Sequence, residues 1–283
     1  MINVFTITPE QVRSYDENGF LHLKNVLSEK EVKLLREEEE RVTTPAMETR
    51  LRSSDYCYSN DPSSNRPVLH RINLINQKGD AFLKLYGNPA LLRTAEALQG
   101  RNCLPVTICL VVKSPGYGVA VPWHRDPAHC RVRHGSNLGI YLDDATDENG
   151  MLYVVPGSHK RSDIDLQKLN EEHGFNIPGA IPVHARAGDV VVHNENVLHG
   201  SRAVRSQNKR RVFYYGIRSI EEQLARGHDV AWVKSIARPF LHAIRLRAES
   251  EIGAGETPYA WPADEQYKPD LQPNGYVELR LTE

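Results

Sequence analysis

The 283-residue chain has only four cysteines, and none stands in a Cys-x-x-Cys pair. Cys57, Cys103, Cys109 and Cys130 therefore read as reduced thiols, which excludes a disulfide framework and a zinc knuckle. Long apolar runs are missing too: no stretch approaches the roughly 20 apolar residues that a membrane-spanning helix needs. The opening residues, Met1 to Ile7, lack a basic segment leading into an apolar core. A soluble protein of the reducing cytoplasm is expected. Charge of one sign is not in excess either, with 35 Lys and Arg against 36 Asp and Glu. No overall field would gather nucleic acid or an anionic membrane, so the expected partner is a small molecule.

What is present is a rhythm of short apolar runs. Thr8-Pro9-Glu10-Gln11 has the pattern of a capping box with proline at the first helical position, and Ser28-Glu29-Lys30-Glu31 repeats the box. Between these two helix starts, Gly19 to Val26 alternates apolar and polar side chains as a half-buried strand does. Val32, Leu34, Leu35 and Val42 among glutamates and arginines mark an amphipathic helix. From Thr44 to Asn65 the Ser, Asp, Pro and Asn content predicts a long loop. Asn88-Pro89 opens a further helix through Leu98.

Beyond Pro105 the runs Val106 to Val112, Gly139 to Leu142, Leu152 to Val155, Ile181 to His184, Val190 to His193 and Arg211 to Ile217 are separated by turn residues. That spacing suits a double-sheet antiparallel jelly roll. The predicted organisation is a single domain, 1–283: a helical part to about 100, a jelly-roll core over about 101–218 and a helical extension from 219. Ser219-Ile220-Glu221-Glu222 caps that extension, and Pro239 is expected to break or kink it.

Within this pattern, His124-Arg125-Asp126 and His199 have the residue types of a non-haem iron site. Two histidines and one carboxylate on one face of a metal leave the opposite face open for an oxidant. Residues i and i+2 of a strand share a side, so His124 and Asp126 can both point inward while Arg125 points away. The 73 positions from 126 to 199 leave room for the intervening strands of the roll. His193-Asn194-Glu195 has ligand spacing as well, but lacks a suitable later partner and crowds His199. His159 reads as a turn residue, and His70, His129, His134 and His184 as loop or surface histidines.

Iron of this kind needs an electron donor to activate oxygen; a chelating 2-oxo acid can supply both electrons by decarboxylation, and its far carboxylate needs a fixed cation. Arg210 lies 11 positions after His199, on a strand expected to return beside it, and a guanidinium grips a carboxylate in two-pronged fashion. Arg211 competes, and strand phase does not separate the two, because both faces of 212–215 are apolar. Ser201 either adds a hydroxyl or merely ends a strand.

Taken together these residues resemble the phytanoyl-CoA dioxygenase family of Fe(II)- and 2-oxoglutarate-dependent oxygenases. The likeness runs through most of the chain: Ile7 to Gln11, Asn18 to Leu21, Lys113 to Gly116, Trp123 to Asp126, Leu142 to Gly150, Pro156 to Lys160 and His199 to Arg210. It implies a double-stranded β-helix (cupin-like) core with flanking helices, iron on His124, Asp126 and His199, and 2-oxoglutarate on Arg210 with Ser201. It prefers Arg210 over Arg211, and brings Arg71 and Cys109 towards the co-substrate. The departure from the family is at His129, where an aromatic residue is common, and in the basic stretch Arg131 to His134.

The implied activity is hydroxylation of an unactivated C–H bond of a small metabolite, with O2 consumed and succinate and CO2 released. The carboxylate Asp126 argues against the related halogenases. Desaturation, cyclisation, epimerisation and endoperoxidation use the same residues and stay open. So do a jelly-roll metal enzyme that uses no oxo acid and a catalytically silent binding barrel.

Overall fold

Thr8 accepts a hydrogen bond from Gln11 N while the Gln11 side chain returns one to Thr8 N, so α1 (Pro9–Asn18) starts with both halves of its box. The structure, a computed structural model, describes residues 5–51, 53–61, 64–115, 120–126 and 135–270. Gly19, at φ +78°, ends α1 and turns the chain into β1 (Phe20–Leu23).

Ser28 caps α2 (Glu29–Thr49), which buries Val32, Leu35 and Val42. This helix overturns the loop expected from Thr44. Pro45 sits inside it and costs it one backbone donor. Burial of Ala46 and a hydrogen bond from Tyr58 Oη to Ala46 O (2.8 Å) hold the segment helical nonetheless. The predicted loop then becomes β2 (Tyr56–Asn60), which pairs with β3 (Pro67–Asn73). The first hundred residues are thus not purely helical, because β1, β2 and β3 all join the large sheet. Helices α3 (Asp80–Tyr86) and α4 (Pro89–Gln99) follow, the latter capped by Asn88.

Then come β4 (Cys103–Lys113), β5 (Val121–His124), β6 (Ser136–Tyr141) and β7 (Leu152–Val155). Next are α5 (Leu166–His173), β8 (Ile181–Val183), β9 (Val190–Asn194), β10 (Leu198–Ser201) and β11 (Arg210–Ser219). Ser219 caps α6 (Ile220–Ala225), and α7 (Val230–Ala248) continues through Pro239 without breaking.

Two antiparallel sheets face each other as a jelly roll. The large one runs β1-β9-β6-β11-β4-β3-β2 and the small one β5-β10-β7-β8. One expectation fails here: β11 does not return beside β10. The two strands lie in different sheets, so Arg210 faces His199 across the sandwich and not along a ladder.

The main core lies on the outer, helix-covered side of the large sheet. Phe82 stacks on Phe213 (centroids 6.1 Å apart), and Tyr215 Oη donates to Tyr86 O at 2.6 Å. Each such buried large side chain contributes about 1.5–3 kcal/mol. Arg247 of α7, fully buried, pairs with Glu31 of α2 and with Glu256, joining the two long helices through charge. The inner face of the large sheet is thereby left to line a cavity against the small sheet.

Candidate active site

The pairing of β5 with β10 sets His124 directly opposite His199. Each imidazole uses Nδ1 on a backbone carbonyl, His124 on Pro122 O (2.8 Å) and His199 on Val197 O (2.9 Å). Carbonyls accept only, so both Nδ1 atoms carry hydrogen and both Nε2 lone pairs are free. Those Nε2 atoms lie 3.7 and 3.9 Å from Asp126 Oδ1. The three residues form a group able to hold a metal ion, with ligand atoms all within 4.8 Å of one another. Arg125 points away, as strand alternation predicts, and binds Asn196 O and Arg161 O.

The electrostatics suit a cation. Burial opposes ionisation of Asp126, but the His124 and His193 rings beside it outweigh it and hold the carboxyl well below its usual range. Burial and the neighbouring His193 push His199 down to about 3, so its ring stays neutral. At His124 burial is outweighed by Asp126, which shifts the ring the other way, upwards, so the carboxylate draws positive charge to the site, and one anion with two imidazole nitrogens is a donor set for a divalent first-row metal.

This trio opens into a cavity of about 560 Å³ between the sheets. Ser201, Arg71, Cys109 and Arg210 all line it. Arg210 is 3% exposed, and its Nε and Nη1 have no hydrogen-bond partner. A buried guanidinium with idle donors is costly unless an acceptor arrives. Arg211, by contrast, is consumed by Asp143 (2.7 Å) and Glu39 (2.8 Å). Arg71, half-buried, donates from Nε to Asn73 Oδ1. Burial pushes the Cys109 thiol up to about 11, which keeps it protonated.

Several residues at the site went unread in the sequence. Tyr141 is fully buried beside Arg210, and its hydroxyl has no hydrogen-bond partner. Asn137 donates to Asp126 Oδ2 at 2.6 Å. His193, weighed above as part of a rival ligand pair, stands 3.3 Å from that same oxygen, with its ring 4.6 Å from that of His199. Period-two alternation along β6 would have put Asn137 and Tyr141 on one face, but nothing local marks that face as the inner one. His129, Cys130 and the basic stretch Arg131 to His134 lie outside the described residues.

Comparison with known proteins agrees with this arrangement. The profile of the family described as phytanoyl-CoA dioxygenase (PhyH) matches residues 15–212. Ectoine dioxygenase from Bordetella parapertussis is 28% identical over 225 residues, covering 70% of each chain. Methylphosphonate hydroxylase from Gimesia maris is 27% identical over 221 residues, covering 77% of this chain and 83% of its own. The crystal structure of AviO1 from Streptomyces viridochromogenes Tue57 superposes with a TM-score of 0.66 at 29% identity, covering 77% of this chain and 97% of that one. With its matched profile, its double sheet and its His124, Asp126 and His199 cluster, the chain belongs to the phytanoyl-CoA dioxygenase family and is an Fe(II)- and 2-oxoglutarate-dependent oxygenase.

Proposed function

We propose that the protein hydroxylates an unactivated C–H bond of a small metabolite, holding Fe(II) on His124, Asp126 and His199 and 2-oxoglutarate on Arg210. The observation that carries this is a convergence: two imidazoles with a carboxylate, and an unsatisfied buried guanidinium, share one cavity. When bound, iron and the oxo acid supply the oxidising equivalents from O2, with decarboxylation to succinate. The protein's own part is orientation. Arg210, with the hydroxyls of Ser201 and Tyr141, fixes the distal carboxylate, and Arg71 and Cys109 shape the wall beside it. A guanidinium–carboxylate bond of this kind contributes about 1.5–3 kcal/mol.

Cavity size supports a small-molecule substrate, since ligand sites of this type span about 300–1,000 Å³. No helix among the described residues is long and apolar enough to cross a membrane. Free Cys57, Cys103 and Cys109 are consistent with the reducing cytoplasm we assign to it. The test is anaerobic visible absorption of the metal-free protein during addition of Fe(II) and then 2-oxoglutarate. A charge-transfer band is expected in the wild type and its loss in His199→Ala, with succinate forming once O2 is admitted. Folded protein that binds Fe(II) without the band would refute the oxo-acid assignment.

A further inference from the structure

Asp126 has two carboxylate oxygens in different company. Oδ1 faces the free Nε2 atoms of His124 and His199. Oδ2 takes the hydrogen bond from Asn137 Nδ2 at 2.6 Å, and His193 Nε2 lies 3.3 Å away from it. Behind Asn137, both terminal nitrogens of Arg218 reach its Oδ1 at 3.4 Å, and Arg218 forms an ion pair with Glu195. Arginine only donates and an ionised carboxylate only accepts, so the Asn137 amide is oriented from both ends. Glu195 closes the loop: its carboxylate takes Gly135 N at 3.1 Å, and its backbone carbonyl takes Asp126 N at 2.9 Å.

We propose that Asn137, backed by Arg218 and Glu195 and assisted by His193, is the positioning residue of Asp126: it holds Oδ2 and so turns Oδ1 towards the Nε2 atoms of His124 and His199. This rests on the metal site proposed above. The His193-Asn194-Glu195 motif, whose spacing imitates a ligand pair, is on this view the brace of the ligand carboxylate. Asn137 is a positioning residue, since it touches Asp126 and not the reacting atoms.

The experiment compares full-length wild type, Asn137→Ala and Asn137→Leu by anaerobic Fe(II) titration, by the position of the Fe(II)–2-oxoglutarate absorption band, and by the decay of that band on exposure to O2. Asn137→Leu keeps the side-chain volume without a donor, and covers the case in which Asn137→Ala does not fold. Loss of the donor is expected to weaken Fe(II) binding roughly 10- to 100-fold, shift the band and slow its decay in O2, while the melting temperature of the metal-free protein barely moves. A merely structural role would move the melting temperature and leave the band in place. Unchanged Fe(II) affinity and band in a folded variant overturn the brace and leave the metal site standing. Failure of the wild type itself to bind Fe(II) overturns the metal site, and the brace with it.

Discussion

Arg210 and Arg211 are neighbours in the chain whose guanidinium groups lie on opposite faces of the large sheet. Arg210 lines the cavity with two donors idle, whereas Arg211 is locked to Asp143 and to Glu39 of α2. One has donors to spare, and the other ties strand to helix.

Opposite phenotypes follow for their alanine variants. Arg210→Ala should fold and raise the 2-oxoglutarate concentration for half-maximal turnover by about 10- to 100-fold, the equivalent of one charge-assisted contact. Arg211→Ala leaves Glu39 with Lys209 as its one cation and Asp143 with Arg36, and the lost charge-assisted hydrogen bonds should cost about 1.5–3 kcal/mol of stability. Its surviving folded fraction should keep the wild-type 2-oxoglutarate requirement. Melting curves alongside succinate assays at varied 2-oxoglutarate check both, and equal effects on the requirement would remove the distinction.

Tyr141→Phe isolates the hydroxyl beside Arg210. Because that hydroxyl has no hydrogen-bond partner within the protein, its removal should leave the metal-free melting temperature unchanged or slightly higher. The half-saturating 2-oxoglutarate concentration should rise several-fold. An unaltered value would show that Tyr141 does not reach the co-substrate.

Lys113 carries a pH signature. Burial, reinforced by the Arg210 cation, pushes its ammonium from an ordinary 10.5 down to about 7. With the folded value below the unfolded one, the unfolded chain binds more protons between these limits, so stability rises with pH there. From pH 7 to 9 the melting temperature of the metal-free protein should climb more steeply in the wild type than in Lys113→Met. Above 9 the buried thiols of Cys103 and Cys109, held up to about 12 and 11, act in the opposite direction. Parallel curves for the two proteins between 7 and 9 would contradict this account.

Arg247→Ala addresses the helical shell. Loss of the cation strands Glu31, which is 6% exposed, beside Glu256. The expected cost is about 3–5 kcal/mol, with the 2-oxoglutarate requirement unaffected, because the trio lies on the outer side of the sheet. Denaturant melts and the succinate assay read the two effects separately.

Most strands of the roll could be read in advance from short apolar runs between turn residues, and the cluster of His124, Asp126 and His199 because those residue types are chemically unusual together. The segment from Thr44 to Asn65 misled for a physical reason. Its polar composition suits a turn, but Ala46 is buried and Tyr58 caps its carbonyl, so tertiary contact overrides local preference. Asn137 escaped notice because it is 11 positions from Asp126 on another strand, and an asparagine in Ser136-Asn137-Leu138-Gly139 has no local mark of function. Arg210 was expected on a strand beside His199, and it lies on the other side of the sandwich. A strand's sheet membership depends on pairing that a linear pattern does not contain.

On the binding mode proposed above, the placement of His124 and His199 on the small sheet and of Arg210 on the large one makes the space between the sheets a ruler. Packed sheets stand about 10 Å apart, and a molecule gripped at both ends would have to suit that spacing. An oxo acid one methylene shorter would then lose one of its two holds, and one longer would have to buckle. The preference for a five-carbon diacid would in this sense be a property of the architecture, set by how far apart two layers of backbone come to rest.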